Sequence, residues 1–585
     1  MAAKHFINDP TQLVNSALHA LTLTNPSVAL DAENKIAYKR PGGPSQVSII
    51  SGGGSGHEPS FGGYVGNGFL AAAVAGSIFA SPNTKQVYKA IASRVNREKG
   101  VLVTVMNYTG DVLNFGMAVE KAKAAGINVE MVVVGDDVGV GREKAGKVGR
   151  RGIAGTVLVL KIAGALAAMG YNLPDVLKIA KLTAENIVSV GASLAHVHVP
   201  GRALADPNSK ENLADGEVEI GMGIHNEPGS GRAIVDLPDM VKKMLEQLLD
   251  QSDKDRGFLK VNSNEVVLMV NNLGAVSVLE LGGITAEVVA QLEKSYNIKP
   301  VRILSGTYMT SLNGLGFSIS LLNVVNTNLG GPTLLQLLDA PSEVTGWTAP
   351  ISKETWEAKS ARTWDNSLGN GEEIKPSGLK VDPELLKSVL SAGLERVIAA
   401  EPEVTRFDTV VGDGDAGITL ERGASAILKM LSETKLTGDV VLDISEITQI
   451  VEDAMDGTSG ALYAIFLNAL IHALRQQSSA GEVTVSVWAA ALQTACDALG
   501  KYTPAQPGDR TLIDALHPFV QTISKTGDVK KAAEASRAGA EGTKGMAPKL
   551  GRTVYIGGSG FEQVPDPGAW GLSELFLGIA GVKSS

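Results

Sequence analysis

Apolar and polar positions divide the chain into two differently patterned halves. In the first half, short β-branched runs alternate with helix-like segments. Val47 to Ile50 opens into the glycine-rich SGGGSGHEPSFGGYVGNG, Val101 to Val105 ends in MNYTGD, and Met131 to Val134 ends in GDD. Between them Thr84 to Arg97 and Leu113 to Ala125 read as helices. This order predicts a parallel sheet with ligands held outside the carboxyl ends of its strands. Val266 to Val270 followed by NNLG, and the later SGTYMTSLNGLGFSISLL, predict a second α/β unit, whose loops Asn271 to Gly274 and Thr310 to Gly316 either border the site or are purely structural. The rhythm breaks from Ala340 to Gly378, a stretch rich in Pro, Gly, Ser and charge that marks a domain boundary. Beyond it Asp382 and Pro383 form an N-cap and first-turn pair, and Leu386, Val389, Leu390, Leu394, Val397 and Ile398 fall at helical spacing. The rest reads mostly as helix.

Composition narrows the function classes. At 585 residues the chain exceeds one core, and length alone predicts roughly three or four domains. A net charge of −10 argues against a nucleic-acid partner. Cys496 is the single cysteine, so no intrachain disulfide forms and a reducing compartment is expected. The N-terminus has no apolar signal core, and the apolar run Ile153 to Met169 carries Lys161 and falls short of a membrane span. The expectation is a cytoplasmic protein with no membrane partner.

The densest chemistry lies in FDTVVGDGDAGITL, Phe407 to Leu420, where Asp408, Asp413 and Asp415 are interleaved with Gly412, Gly414 and Gly417. An EF-hand needs a bidentate Glu at its twelfth position, but counting from Asp413 or Asp408 reaches Ala424 or Thr419. Mg2+, with positions left open for phosphates, fits better; the alternative is an Asp/Gly turn before a helix. Gly457, Thr458, Ser459 and Gly460 precede a long apolar helix, whose N–H groups and positive dipole end would meet a phosphate unless they simply cap it. PGDRTLIDAL reads equally as a salt-bridged helix start. GREKAGKV, Gly141 to Val148, lacks the hydroxyl a phosphate-binding loop requires, and GNGFLA has no strand leading into it. Of the histidines, His57 and His225 sit in glycine-dense turns open to a ligand, whereas His196 and His198, two apart on an expected strand, read as structural.

These motifs together resemble the single-chain, ATP-dependent dihydroxyacetone kinases. The likeness rests on SGGGSGHEP, NYTGD, GRRGIAGTV, GIHNEPG, NNLG and TSLNGLGFSISLL in the first half. In the second it rests on GDGDAG, GTSGALY, GDRTLIDAL, GRTVYIG and DPGA. The resemblance implies a multidomain chain. A substrate module of two α/β subdomains, residues 1–345 divided near 192, leads through a linker at 346–378 to an all-α, eight-helix-barrel nucleotide module at 379–585. It implies that His225 adds to the substrate ketone as a hemiaminal, that His57 assists, and that Asp111 acts as general base. Gly54, Ser55, Gly56 and position 106 would line the triose. Asp408, Asp413 and Asp415 would hold two Mg2+, while Gly412, Thr419, Gly457, Thr458, Ser459, Gly460, Arg552, Asp566, Pro567 and Gly568 would lie near ATP. A homodimer and D-glyceraldehyde as a second substrate are also implied. Two departures stand out: Met106 replaces a Lys common before NYTGD, and Asn226 replaces a Gly common after the covalent histidine. Alternatives seen among relatives are a Mn2+-dependent lyase that cyclises FAD, and a triose binder phosphorylated through a relay.

Overall fold

The computed structural model describes residues 5–203, 212–261, 265–349, 351–358, 374–477, 481–550 and 560–582. It divides into two compact units, Met1–Thr363 and Trp364–Ser585.

The first unit contains two six-stranded sheets. The first sheet is built from β1 (Val28–Asp31), β2 (Ile36–Lys39), β3 (Ser48–Ser55), β4 (Ala72–Ile78), β5 (Val101–Met106) and β6 (Val129–Val134), in the order β1-β2-β4-β3-β5-β6. Strands β4, β3, β5 and β6 are parallel. Strand β3 does not stop at Ile50, as its apolar run suggests, but continues through the glycines to Ser55. A Cβ at Gly52 would strike the carbonyl of Val74 on β4, so the glycines are there because a neighbouring backbone lies close.

The second sheet comprises β7 (Ile187–Ser193), β8 (Glu217–Ile220), β9 (Gly231–Ile234), β10 (Val266–Asn272), β11 (Arg302–Gly306) and β12 (Gly316–Asn323). Its order is β11-β10-β12-β7-β8-β9, antiparallel except for β10 with β11. The second sheet starts with β7 at Ile187, which pairs with β12. His196 and His198 lie beyond the end of β7, in a loop rather than a strand. The helix Thr156–Ala168 is buried along nearly its whole length, as its uniformly apolar sequence requires. Lys161 is accommodated there because its ammonium donates to the carbonyls of Leu337 and Ala340, at 3.0 and 2.8 Å. Burial pushes it down to about 8. The segment expected to begin the linker instead packs on this unit: Gly346 N–H donates to Gly63, and Trp347 tilts against Tyr308 and Phe69.

The second unit has eight α-helices among its described residues: α1 (Pro383–Val411), α2 (Ala416–Glu433), α3 (Val440–Ala454), α4 (Gly457–Gln476), α5 (Val485–Leu499), α6 (Ile513–Thr526), α7 (Val529–Gly542) and α8 (Pro567–Ile579). Each packs on the next, and α8 returns to α1, closing a ring. The ring encloses an apolar cavity of about 420 Å³ lined by residues such as Leu386, Tyr463, Phe466 and Trp488. Helix α4 has the length and apolar content of a membrane span, and its side chains at 462, 463, 466, 467 and 470 line this cavity.

Candidate active site

In the first unit, loops at the carboxyl ends of β3 and β5 meet loops from the second sheet. His57 follows the end of β3. Asp111 lies in the first turn of the helix Thr109–Ala124, which starts before the expected Leu113 and so draws Asp111 out of the loop. His225 comes from the turn between β8 and β9. The two histidines have their Nε2 atoms 3.0 Å apart and their rings edge to face. Phe79 stacks on His57 and packs its edge against His225, while Tyr108 meets His225 edge-on at 4.7 Å between centroids.

The remaining ring nitrogens determine where the protons sit. His57 Nδ1 is 2.8 Å from the carbonyl oxygen of Thr310, which only accepts, so Nδ1 carries a hydrogen. His225 Nδ1 is 2.9 Å from the Glu227 carboxylate, so it too carries one. Both Nε2 lone pairs then face one contact, and a single shared proton satisfies it. Burial and the charge of His225 push His57 down to about 3, so His57 does not hold a second proton of its own at rest. Burial acts to raise Glu227, but the hydrogen bonds and charge of His225, with Arg151 behind, outweigh it and hold the carboxyl at about 2.

Asp111 is buried, and burial raises its pKa above the ordinary value; a hydrogen bond from Ser81 and the charge of His225 oppose that rise. Its Oδ1 has no hydrogen-bond partner among the described residues. A buried carboxylate oxygen left open beside the histidine pair is suited to receive a hydroxyl. Gly54 and Ser55 end β3, and a Cβ at Gly54 would lie 2.7 Å from the backbone nitrogen of Ala80. Gly56 accepts from the Leu312 N–H at 2.7 Å, which ties the His57 loop to the second sheet. Met106 is 1% exposed and belongs to the apolar core that also contains Val132, Ile153 and Ile224. Asn226 keeps the turn that Gly would allow: its φ is +66°, and its amide bonds both Val197 N–H and Val197 C=O at 2.9 Å. The two structural histidines are tied elsewhere, His196 to Glu219 at 3.1 Å and His198 to the Arg202 carbonyl at 2.8 Å.

In the second unit, Asp408 closes the last turn of α1 and Asp415 begins α2, so one sharp turn brings Asp408, Asp413 and Asp415 together. Gly414, at φ +80°, makes that turn possible. One carboxylate oxygen from each lies within 4.8 Å of the others. Burial, then repulsion by Asp413 and Asp415, pushes Asp408 up. Crowded carboxylates that resist ionising together are the donor set a hard divalent cation relieves. Gly457 to Gly460 form the first turn of α4 itself, and Asp456 does not cap it, because its carboxylate pairs with Arg422 on α2 at 2.8 Å. The first N–H groups of α4 therefore have no side-chain cap. Thr458 is exposed, and Thr419 is buried within α2.

Asp566 caps α8, accepting from Ala569 N–H, with Pro567 and Gly568 in the first turn. Burial raises Asp566 to about 7; Asp514 and Asp408 add to the rise, and Arg510 opposes it. Arg510 reaches the Val564 carbonyl, Asp514 accepts the N–H groups of Gly508 and Thr511, and Asp509 pairs with Lys549 at 3.0 Å, so the turn before the helix Ile513–Thr526 carries an ion pair as well as side-chain to backbone bonds. Arg552 lies outside the described residues. Reasoning from sequence missed Glu227, Thr310 as the partner of His57, Tyr108 and Phe79. Glu227, two residues after His225 in a tight turn, was the one the spacing could have flagged.

Comparison with known proteins matches residues 19–346 to the Dak1 domain and residues 410–581 to the DAK2 domain. A Komagataella pastoris protein named dihydroxyacetone kinase is 45% identical over 99% of this chain and 98% of its own length. Saccharomyces cerevisiae dihydroxyacetone kinase 1 is 43% identical over 99% of each. Triokinase/FMN cyclase of Rattus norvegicus is 35% identical over 100% of this chain and 99% of its own. The crystal structure of the dihydroxyacetone kinase of C. freundii, 30% identical, superimposes with a TM-score of 0.67 over 99% of this chain and 100% of that one. Its complex with AMP-PNP and Mg2+ gives 0.66.

Proposed function

The chain belongs to the dihydroxyacetone kinase family, and from that premise we propose that it phosphorylates dihydroxyacetone with ATP while His225 holds the ketone as a hemiaminal. The observation that carries this reading is the Nε2 to Nε2 contact of 3.0 Å, with both Nδ1 atoms already committed to Thr310 and Glu227. Moving the shared proton from His225 to His57 frees the nucleophile and arms an acid for the carbonyl oxygen in one step. Covalent capture orients a small triose that offers few atoms to grip, and it rejects glycerol, which has no carbonyl. Asp111, with one oxygen unpartnered, takes the proton of the terminal hydroxyl as that oxygen attacks the γ-phosphorus.

On the helical module, Asp408, Asp413 and Asp415 would hold two Mg2+. Bound divalent metal supplies charge neutralisation on the phosphates during transfer. Gly457, Thr458, Ser459 and Gly460 offer the open N–H end of α4 to a phosphate; Gly412 and Thr419 lie on the same acidic turn and the helix after it. Asp566, Pro567 and Gly568, with Arg552, complete the proposed nucleotide contacts. The reading extends to D-glyceraldehyde as a second substrate, a cytoplasmic location and a homodimer, the last checked by sedimentation.

The test is a coupled assay with ATP, Mg2+ and either dihydroxyacetone or glycerol. Dihydroxyacetone is expected to be phosphorylated and glycerol not, and His225→Ala is expected to abolish the reaction while nucleotide still binds. Triose phosphorylation that survives in His225→Ala would overturn the covalent reading. The triokinase/FMN cyclase relatives make a second activity worth one incubation with FAD and Mn2+, read as release of cyclic FMN.

A further inference from the structure

Behind His225 lies a line of charges that the proposed reaction has not yet used. Glu227 Oε1 accepts from His225 Nδ1 at 2.9 Å, and Glu227 Oε2 accepts from the His225 backbone N–H at 2.9 Å. The same carboxylate faces Arg151 Nη1 at 4.0 Å, and Arg151 is paired with the buried Asp137 at 2.8 Å while it donates to the Gly221 carbonyl. Gly223 leaves the space for this arrangement: a Cβ there would strike both the Glu227 carboxylate and the Arg151 guanidinium. Two oxygens of one carboxylate thus clamp both the ring and the backbone of one histidine.

We propose that Glu227, held by Arg151 and Asp137, is the positioning residue that makes His225 a nucleophile: it keeps the hydrogen on Nδ1, turns Nε2 toward the ketone, and serves as counter-ion to the charge the histidine pair carries. This rests on the hemiaminal reading given above. The bookkeeping closes. The step starts from the form of the pair in which one proton bridges the two Nε2 atoms. Transfer to His57 Nε2 leaves His225 Nε2 with its lone pair. That pair forms the C–N bond, the carbonyl π electrons move to oxygen, and oxygen takes the proton from His57. His225 ends as an N-substituted imidazolium, its Nδ1–H still donated to Glu227. One positive charge persists at every stage, and the carboxylate opposes it throughout.

Glutamine has one oxygen where glutamate has two. In Glu227→Gln either Nδ1–H or the backbone N–H must face an amide N–H, and the counter-charge is gone. We expect the fraction of protein carrying a triose adduct by intact mass, and kcat/KM for dihydroxyacetone, to fall by ~10² to 10⁴. Glu227→Asp should recover part of that loss. The groups facing the pair are Glu227, Asp111, Tyr108 and Arg151. Removing the nearest negative charge disfavours the protonated pair, so the alkaline limb of kcat/KM should move to lower pH, a shift that a packing defect alone does not produce. Independently of any variant, ¹⁵N spectra of histidine-labelled wild-type protein should show His225 Nδ1 protonated. A wild-type spectrum with Nδ1 bare, or a Glu227→Gln enzyme with unchanged adduct and pH profile, overturns the role of Glu227. If His225→Ala loses its adduct in the same experiment, the hemiaminal reading survives that failure; if His225→Ala keeps it, that reading falls on its own.

Discussion

Asp111→Asn should separate catalysis from architecture. The substitution keeps the shape of the side chain and the space it fills beside Gly53, whose Cβ position lies 3.8 Å from the carboxylate. What it removes is the ability to take a proton. Loss of a positioned general base costs ~10² to 10⁴ in rate, or about 3 to 5 kcal/mol of transition-state stabilisation. The stability side has the opposite sign. Burial raises the folded-state pKa of Asp111 above its unfolded value, so the ionised carboxyl works against folding. That penalty is absent below the ordinary carboxylate value and sets in as pH rises through the window up to the raised folded value. An amide avoids it but leaves an N–H₂ where Oδ1 had no partner, a cost of ~1–3 kcal/mol that offsets the gain. Near neutral pH the variant should therefore melt close to the wild type, while kcat falls ~100-fold or more and adduct formation, in which Asp111 takes no part, is retained. Initial rates at saturating dihydroxyacetone, intact mass and thermal melts at neutral and acidic pH measure all three. A kcat within a few-fold of wild type would refute the base assignment, and a lost adduct would show that Asp111 acts earlier than proposed.

Met106→Lys places an ammonium in the apolar core, so the melting temperature should drop, and the apparent KM for dihydroxyacetone should fall as the new donor reaches the triose. A KM that stays or rises in steady-state kinetics means the pocket grips the triose without that donor. Asp413→Asn removes an exposed member of the acidic turn. It should raise the Mg2+ needed for half-maximal rate by at least the ~10- to 100-fold that losing an outer-shell partner costs, with the triose adduct unaffected; unchanged Mg2+ dependence would remove Asp413 from the metal site.

Much of the plan was legible in the chain, for reasons that differ by element. The helical half announced itself because amphipathic spacing and N-caps such as Asp382 are local signals, and the ring of eight helices follows them. His57, His225 and the acidic turn were visible because glycines crowd them. The extent of β3 was not legible, since its glycines answer to the backbone of β4, a partner no local pattern reveals. Asp111 was placed in a loop because TGD reads as a turn, yet it starts a helix. Phe79, and the bond from His57 to Thr310 within a loop already expected near the site, escaped notice because their parts depend on where another segment's ring lies. Asn226 looked like a disruption and is not: of the residues with a side chain, asparagine tolerates the left-handed backbone, and here its amide adds two hydrogen bonds that glycine could not make.

The histidine pair joins chain segments 168 residues apart, and His57 leans on a carbonyl 253 residues downstream. A nascent chain would carry His57 and Asp111 on a finished first sheet long before the loop that supplies Thr310 had been made. During that interval His57 lacks the carbonyl that fixes its tautomer, and a reactive ketone meets no completed histidine pair. Competence thus arrives late and all at once, so adduct formation doubles as a readout of whether the whole first unit has closed.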